Sequence, residues 1–169
     1  MLTLTQMQQM LNKKNEVELL CLEGSRIHSE AGKKEFTTHT VKSHAYINPA
    51  AIAKIIFIIS KNNFELIHTH SSRDLWQLVP ALKIYRSKIP LVLTKHVGSF
   101  IVKKDFLHRW LYGRVTNAFA ISGVIRKNLI QTTPLPVQKV QLVHNGIDIE
   151  KFNPAESDRK KTRKEFEIA

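Results

Sequence analysis

The chain has 169 residues, 43% hydrophobic and 24% charged, which suits one globular domain with a sizeable core and is too short for two full ones. A formal charge of +12 and a pI near 10.0 favour anionic partners: nucleic acid, phosphorylated substrates or an acidic membrane surface. A basic surface with no dedicated partner fits the same numbers. The lone Cys21 excludes an internal disulfide in this sequence and fits a reducing compartment. The longest apolar stretch, Ala50 to Ile59, is interrupted by Lys54 and falls short of the ~20 residues that a spanning helix needs. Met1 to Asn15 is polar and glutamine-rich, unlike a signal peptide, so a cytoplasmic setting is expected.

In chain order, Thr3 to Lys14 reads as a short helix, with Leu4, Met7, Met10 and Leu11 on one face. Val17 to Leu22 reads as a buried strand, Glu23 to Lys34 as a loop with two glycines, and Thr37 to Val41 as a short β-branched strand. Asn48-Pro49 is a helix start, asparagine as cap and proline in the first turn, predicting a helix from Pro49 to Lys61. Phe64 to His68 reads as a strand, and Ser71 or Ser72 as the cap of a helix running to Ser87. Ile89 to Thr94 is an apolar, branched run after a proline, the pattern of a buried parallel strand. Lys103 to Tyr112 is expected to be helical, Thr116 to Ile121 a strand, and Ser122 the cap of a helix to Gln131. Thr133 to Pro136 is a stiff turn, Lys139 to Val143 a further strand, and Asn145-Gly146 a sharp turn.

Strand and helix alternate from residue 63 onward, which implies parallel strands with right-handed crossovers. The expected fold class is α/β, a Rossmann-like layered parallel sheet with helices on both faces. The tail from Asp158 to Glu167 is almost wholly charged and reads as a linker or the start of a further unit.

Three stretches carry a resemblance. Phe64-Glu65-Leu66-Ile67-His68-Thr69-His70 is a strand followed by a histidine pair, and Ile89 to His96 is a strand ending Thr-x-His. The third is Lys139 to Asp148, ending Asn145-Gly146-Ile147-Asp148 and followed by Phe152-Asn153-Pro154. With Ala120-Ile121-Ser122 in between, their order and spacing resemble the N-terminal domain of family 4 glycosyltransferases, one half of a GT-B fold. The resemblance covers roughly residues 4 to 154. It implies a retaining, metal-independent cytoplasmic transferase with no resident cofactor. A nucleotide sugar would be the donor, and the acceptor a glycan or a lipid-linked one. On this reading residues 1–154 are the acceptor-side domain lacking its first strand, and 155–169 a charged linker or the start of the missing C-terminal domain. The family's glutamate pair, with seven residues between, is not found, since no two glutamates here are eight positions apart. Elements before residue 48 are expected to lose their bridge to the later strands, leaving a marginal N-terminal third.

Ligands of open α/β sheets sit outside the carboxyl ends of strands, so Thr94, Lys95 and His96 are where chemistry is expected. The resemblance implies that His96, flanked by Lys95 and Gly98, lies against the donor sugar near the reacting carbon. Imidazole can donate or accept near neutral pH; a histidine that only ties down the strand end is the plainer alternative. Lys95 reads equally as a phosphate contact or a solvated lysine. His68 and His70 share a face at a period of two, a spacing open to a metal but with no cysteine or further ligand beside it. His70 belongs either to the cleft or to the scaffold. Ser71 and Ser72 open a helix whose free N–H groups could hold an anion or sugar hydroxyls, or Ser72 is a cap alone. Ser122 opens a similar helix, and Asn145 and Gly146 form a positional turn beside the interdomain cleft. From Lys95 to Arg114, basic residues mix with Phe100, Phe106, Trp110 and Tyr112, which suits an anionic membrane surface or a plain helical core. A basic nucleic-acid-binding module and an inactive gene fragment stand as alternative functions, although the basic residues are scattered and no nucleic-acid motif is present.

Overall fold

The computed structural model describes residues 2–42, 45–146 and 163–167. Among the described residues up to 142, six helices and six strands alternate: α1 (Leu2–Asn12), β1 (Leu19–Leu22), α2 (Arg26–Gly32), β2 (Thr38–Val41), α3 (Pro49–Lys61), β3 (Ile67–Thr69), α4 (Leu75–Ile84), β4 (Leu91–Lys95), α5 (Phe106–Tyr112), β5 (Asn117–Ala120), α6 (Gly123–Thr132) and β6 (Val140–Leu142). Every strand pairing is parallel, and helices cover both faces, as the alternation requires.

The strands fall into two separate sheets, β1–β2 and β3–β4–β5–β6. The break lies where the sequence expects the early elements to lose their bridge. The cores divide in the same way. Leu4, Met7, Leu19, Cys21, Ala31 and Phe36 form a small cluster around α1, β1 and α2. The main cluster draws on α3, α4, β4, β5, α5 and α6, with Leu75, Leu82, Leu91 and Leu93 fully buried. Val41 of β2 belongs to the main cluster and Leu20 of β1 packs against it, so the small sheet is attached through side chains rather than strand pairing.

Several elements differ from the sequence expectation. Residues 23–34 contain a helix, α2, because Ser25 caps it by accepting from the His28 N–H at 3.3 Å. The third strand is shorter and later than Phe64 to His68; it spans Ile67–Thr69, since Glu65 and Leu66 stay exposed before β4 begins to pair. Helix α4 starts at Leu75, after a turn at 72–74, and ends at Ile84. Its cap position is Asp74, so neither Ser71 nor Ser72 caps it. Helix α5 begins at Phe106, where Asp105 accepts from the N–H groups of Leu107 and His108, both at 3.1 Å. The α3 expectation holds over its whole length, with the Asn48 side chain accepting from Ala50 and Ala51. Residues 147–154, with Asp148 and Phe152-Asn153-Pro154, lie outside the described residues. Among the described residues no helix is long and apolar enough to cross a membrane.

A histidine-rich candidate site at the strand ends

β4 is the central element. Leu91, Val92, Leu93 and Thr94 are all buried, and β3 and β5 flank it in parallel register, Thr69 opposite Leu93 and Lys95 opposite Ala120. Strands in parallel register end on one edge. His70, His96 and Ser122 therefore leave the sheet side by side.

The histidines meet. His70 Nδ1 lies 3.1 Å from His96 Nε2, and the two rings stack with centroids 5.4 Å apart and 28° between planes. The His68 ring, two positions back, lies against His70 with centroids 4.4 Å apart and the planes tilted by 35°. Its Nε2 shares a 2.7 Å hydrogen bond with Thr94 Oγ1, which ties β3 to β4. Desolvation, then the charges of His68 and His96, pushes the His70 pKa down to about 4. His70 is neutral at physiological pH. Among the described residues, no group of three or more His, Cys, Asp or Glu is placed to hold a metal ion; these rings stack rather than converge.

Lys95 leaves β4 on the neighbouring position, and its Nζ donates to Ser72 Oγ at 3.0 Å. Desolvation and then the charge of Lys103 hold its pKa below the ordinary lysine value. Ser72 is 8% exposed and is occupied by Lys95. Ser71 Oγ accepts from the Arg73 N–H at 3.1 Å, a local turn. At the head of α4 the Asp74 carboxylate accepts from Thr69 Oγ1 at 2.6 Å. That carboxylate stands where an anion at the helix start would go.

Gly98 lies in the loop after β4. A Cβ there would stand 3.2 Å from Asn128 Oδ1, and Asn128 grips the next residue, accepting from Ser99 N–H at 2.8 Å and donating to Ser99 O at 2.9 Å. Sequence reasoning missed Asn128, because a polar residue inside a helix carries no local sign of a loop it will hold. Ser122 caps α6, accepting from Ile125 N–H at 3.3 Å. His144 Nδ1 donates to Ile121 O at 3.1 Å, which brings the segment after β6 to the same edge. Asn145 and Gly146 follow and are exposed; the residues that would close a turn there lie outside those described.

A parallel α/β sheet with helices on both faces, whose strands end together at one carboxyl edge, belongs to the doubly wound class, in which that edge is where ligands bind. The family model for Glycosyltransferase Family 4 matches residues 2–151. The chain belongs to that family. Among solved structures, a glycosyltransferase from Rickettsia africae ESF-5 superposes with a TM-score of 0.71 at 18% identity, over 89% of this chain and 41% of that one. Anabaena Alr3699/HepE, in complex with UDP and glucose, superposes with a TM-score of 0.62 at 15% identity, over 90% of this chain and 50% of that one. The chain thus spans half the length of these structures or less. No curated protein sequence matches it.

Proposed function

We propose that the chain is the acceptor-side domain of a transferase that moves a sugar from a nucleotide-activated donor to a glycan or lipid-linked acceptor. Transfer proceeds with retention, without metal and without a resident cofactor, in the cytoplasm. The convergence of His70, His96 and Lys95 at one sheet edge carries this reading within a family of glycosyltransferases. His96 would contact the donor sugar, Lys95 a phosphate, and Ser122, Asn145 and Gly146 the wall of the cleft. The domain alone would not turn over sugar, because positioning two substrates supplies much of the rate and the chain covers only 41% and 50% of its structural neighbours.

The test uses the chain joined to a donor-binding domain. UDP-glucose is the first donor to try, given the ligands of HepE. Sugar release and transfer are measured for the parent and for His96→Ala, with circular dichroism as the fold control. Loss of turnover by at least about 100-fold with an unchanged spectrum is expected for a contact to developing charge. Retained turnover would remove His96 from the reaction.

A second observation favours an anionic membrane surface as partner. In the segment after β4, Phe100 is fully exposed, Val97, Ile101 and Val102 are each more than 60% exposed, and Phe106 follows at 84%. Lys103 and Lys104 sit among them. Apolar tips fringed by lysine suit the headgroup region of an anionic bilayer, where a lipid-linked acceptor resides.

A further inference from the structure

We infer that His70 is a positioning residue that fixes the tautomer and ring orientation of His96, so that His96 presents Nδ1 to a ligand. The geometry is direct: Nδ1 of one ring faces Nε2 of the other at 3.1 Å, and the planes stack within 28°. Among the described residues, neither the His70 Nε2 nor the His96 Nδ1 has a hydrogen-bond partner. Each ring is therefore defined by the other.

A hydrogen bond between two imidazole nitrogens needs one proton between them, so only two neutral arrangements exist. In the first, His70 Nδ1–H donates, and both rings take the less stable Nδ1–H form. In the second, His96 Nε2–H donates to the His70 lone pair, and both rings take the more stable Nε2–H form. The second wins. It leaves His96 Nδ1 as an acceptor on a ring that is only part-buried. Protonation of His96 at Nδ1 keeps the bond, because the imidazolium still donates from Nε2. Protonation of His70 at Nδ1 would break it.

The surroundings protect the second arrangement. The His68 ring packs against His70 with centroids 4.4 Å apart and is itself held by Thr94. Of the other charged groups nearby, Lys95 is turned to Ser72 and Asp74 to Thr69. Lys103 acts on Lys95. None of these carboxylates or ammonium groups is hydrogen-bonded to the pair, so the neutral lone pair of His70 is the group that orients His96. The role parallels that of a side chain that holds a catalytic histidine in one tautomer.

The inference takes its meaning from the transferase reading, but its measurement does not depend on turnover. Long-range proton–nitrogen correlation spectra of the full chain, labelled with 15N-histidine, are recorded at pH 7. The neutral form of His96 is expected as a single Nε2–H tautomer. His70→Phe keeps a ring of similar size and removes the acceptor; the single-tautomer signature should be lost. His70→Asn places an amide oxygen where Nδ1 stood and should restore it. A dominant Nδ1–H tautomer in the parent would overturn the inference, as would a His96 signature unchanged by His70→Phe. If the signature behaves as expected but His96→Ala leaves turnover intact in the joined enzyme, the transferase role falls and the positioning contact stands.

Discussion

Asn128 holds Ser99 at both of its backbone polar groups, accepting at 2.8 Å and donating at 2.9 Å. The loop that follows His96 is thereby tied to α6 instead of being free to swing. Asn128→Ala leaves a part-buried N–H and C=O without those partners and should lower stability by about 1–2 kcal/mol. Gly98→Ala places a Cβ 3.2 Å from the Asn128 Oδ1. The amide must shift and weaken the same clamp, at about half that cost. Urea midpoints check both, and equal midpoints for Asn128→Ala and the parent would show that the clamp carries nothing.

The scaffold was more legible than the site. Asn48-Pro49, Ser122 and the apolar run at β4 announce themselves because capping and burial are written in adjacent residues. The short α2 was hidden by its glycines and charges, although Ser25 was a usable cap signal. Long-range pairings were out of reach: nothing near Asn128 points to Ser99, and nothing near Ser72 points to Lys95. Charge was partly misleading. Arg114 donates to the carbonyls of Ser87 and Ile89, Arg126 to Val140 and Lys139 to Val115. Some of the basic excess therefore braces strand ends and is not there for a partner.

Acid should weaken the fold through His70. Its folded pKa, about 4, lies below the unfolded value of 6.5. The folded state thus binds fewer protons, and the stability linked to this group is fully present above about pH 6.5. It is lost as pH falls toward 4, with a change of about 2 kcal/mol after allowance for partial exposure. Thermal unfolding at pH 7 and pH 4.5 should show a drop that His70→Asn reduces. An equal drop in both proteins would assign the acid sensitivity elsewhere.

The exposed apolar segment gives a direct membrane test. Vesicles of phosphatidylglycerol and phosphatidylcholine should pellet the chain, and pure phosphatidylcholine should pellet it at least tenfold less well. Phe100→Ser with Ile101→Ser removes two exposed side chains, 106% and 70% accessible, without touching the core. Partitioning should fall about tenfold or more. Equal pelleting by both vesicle types, or no change in the double variant, argues against this surface.

The divided sheet sets unequal local stability. β4 is paired on both sides, and four of its five residues are buried. β1 is paired with β2 alone, over a small cluster centred on Leu4, Leu19 and Phe36. Opening β1–β2 exposes that cluster and the contacts of Leu20 and Val41, while the main core can stay closed. Local opening free energy follows the apolar area exposed. Amides of Leu19 to Leu22 should therefore exchange at least tenfold faster than those of Leu91 to Lys95 under native conditions. Leu19→Ala should accelerate exchange in the first group and leave the second nearly unchanged. Matched protection in the two strands would mean that they open as one unit, and that Leu20 and Val41 bind the small sheet as firmly as strand pairing would.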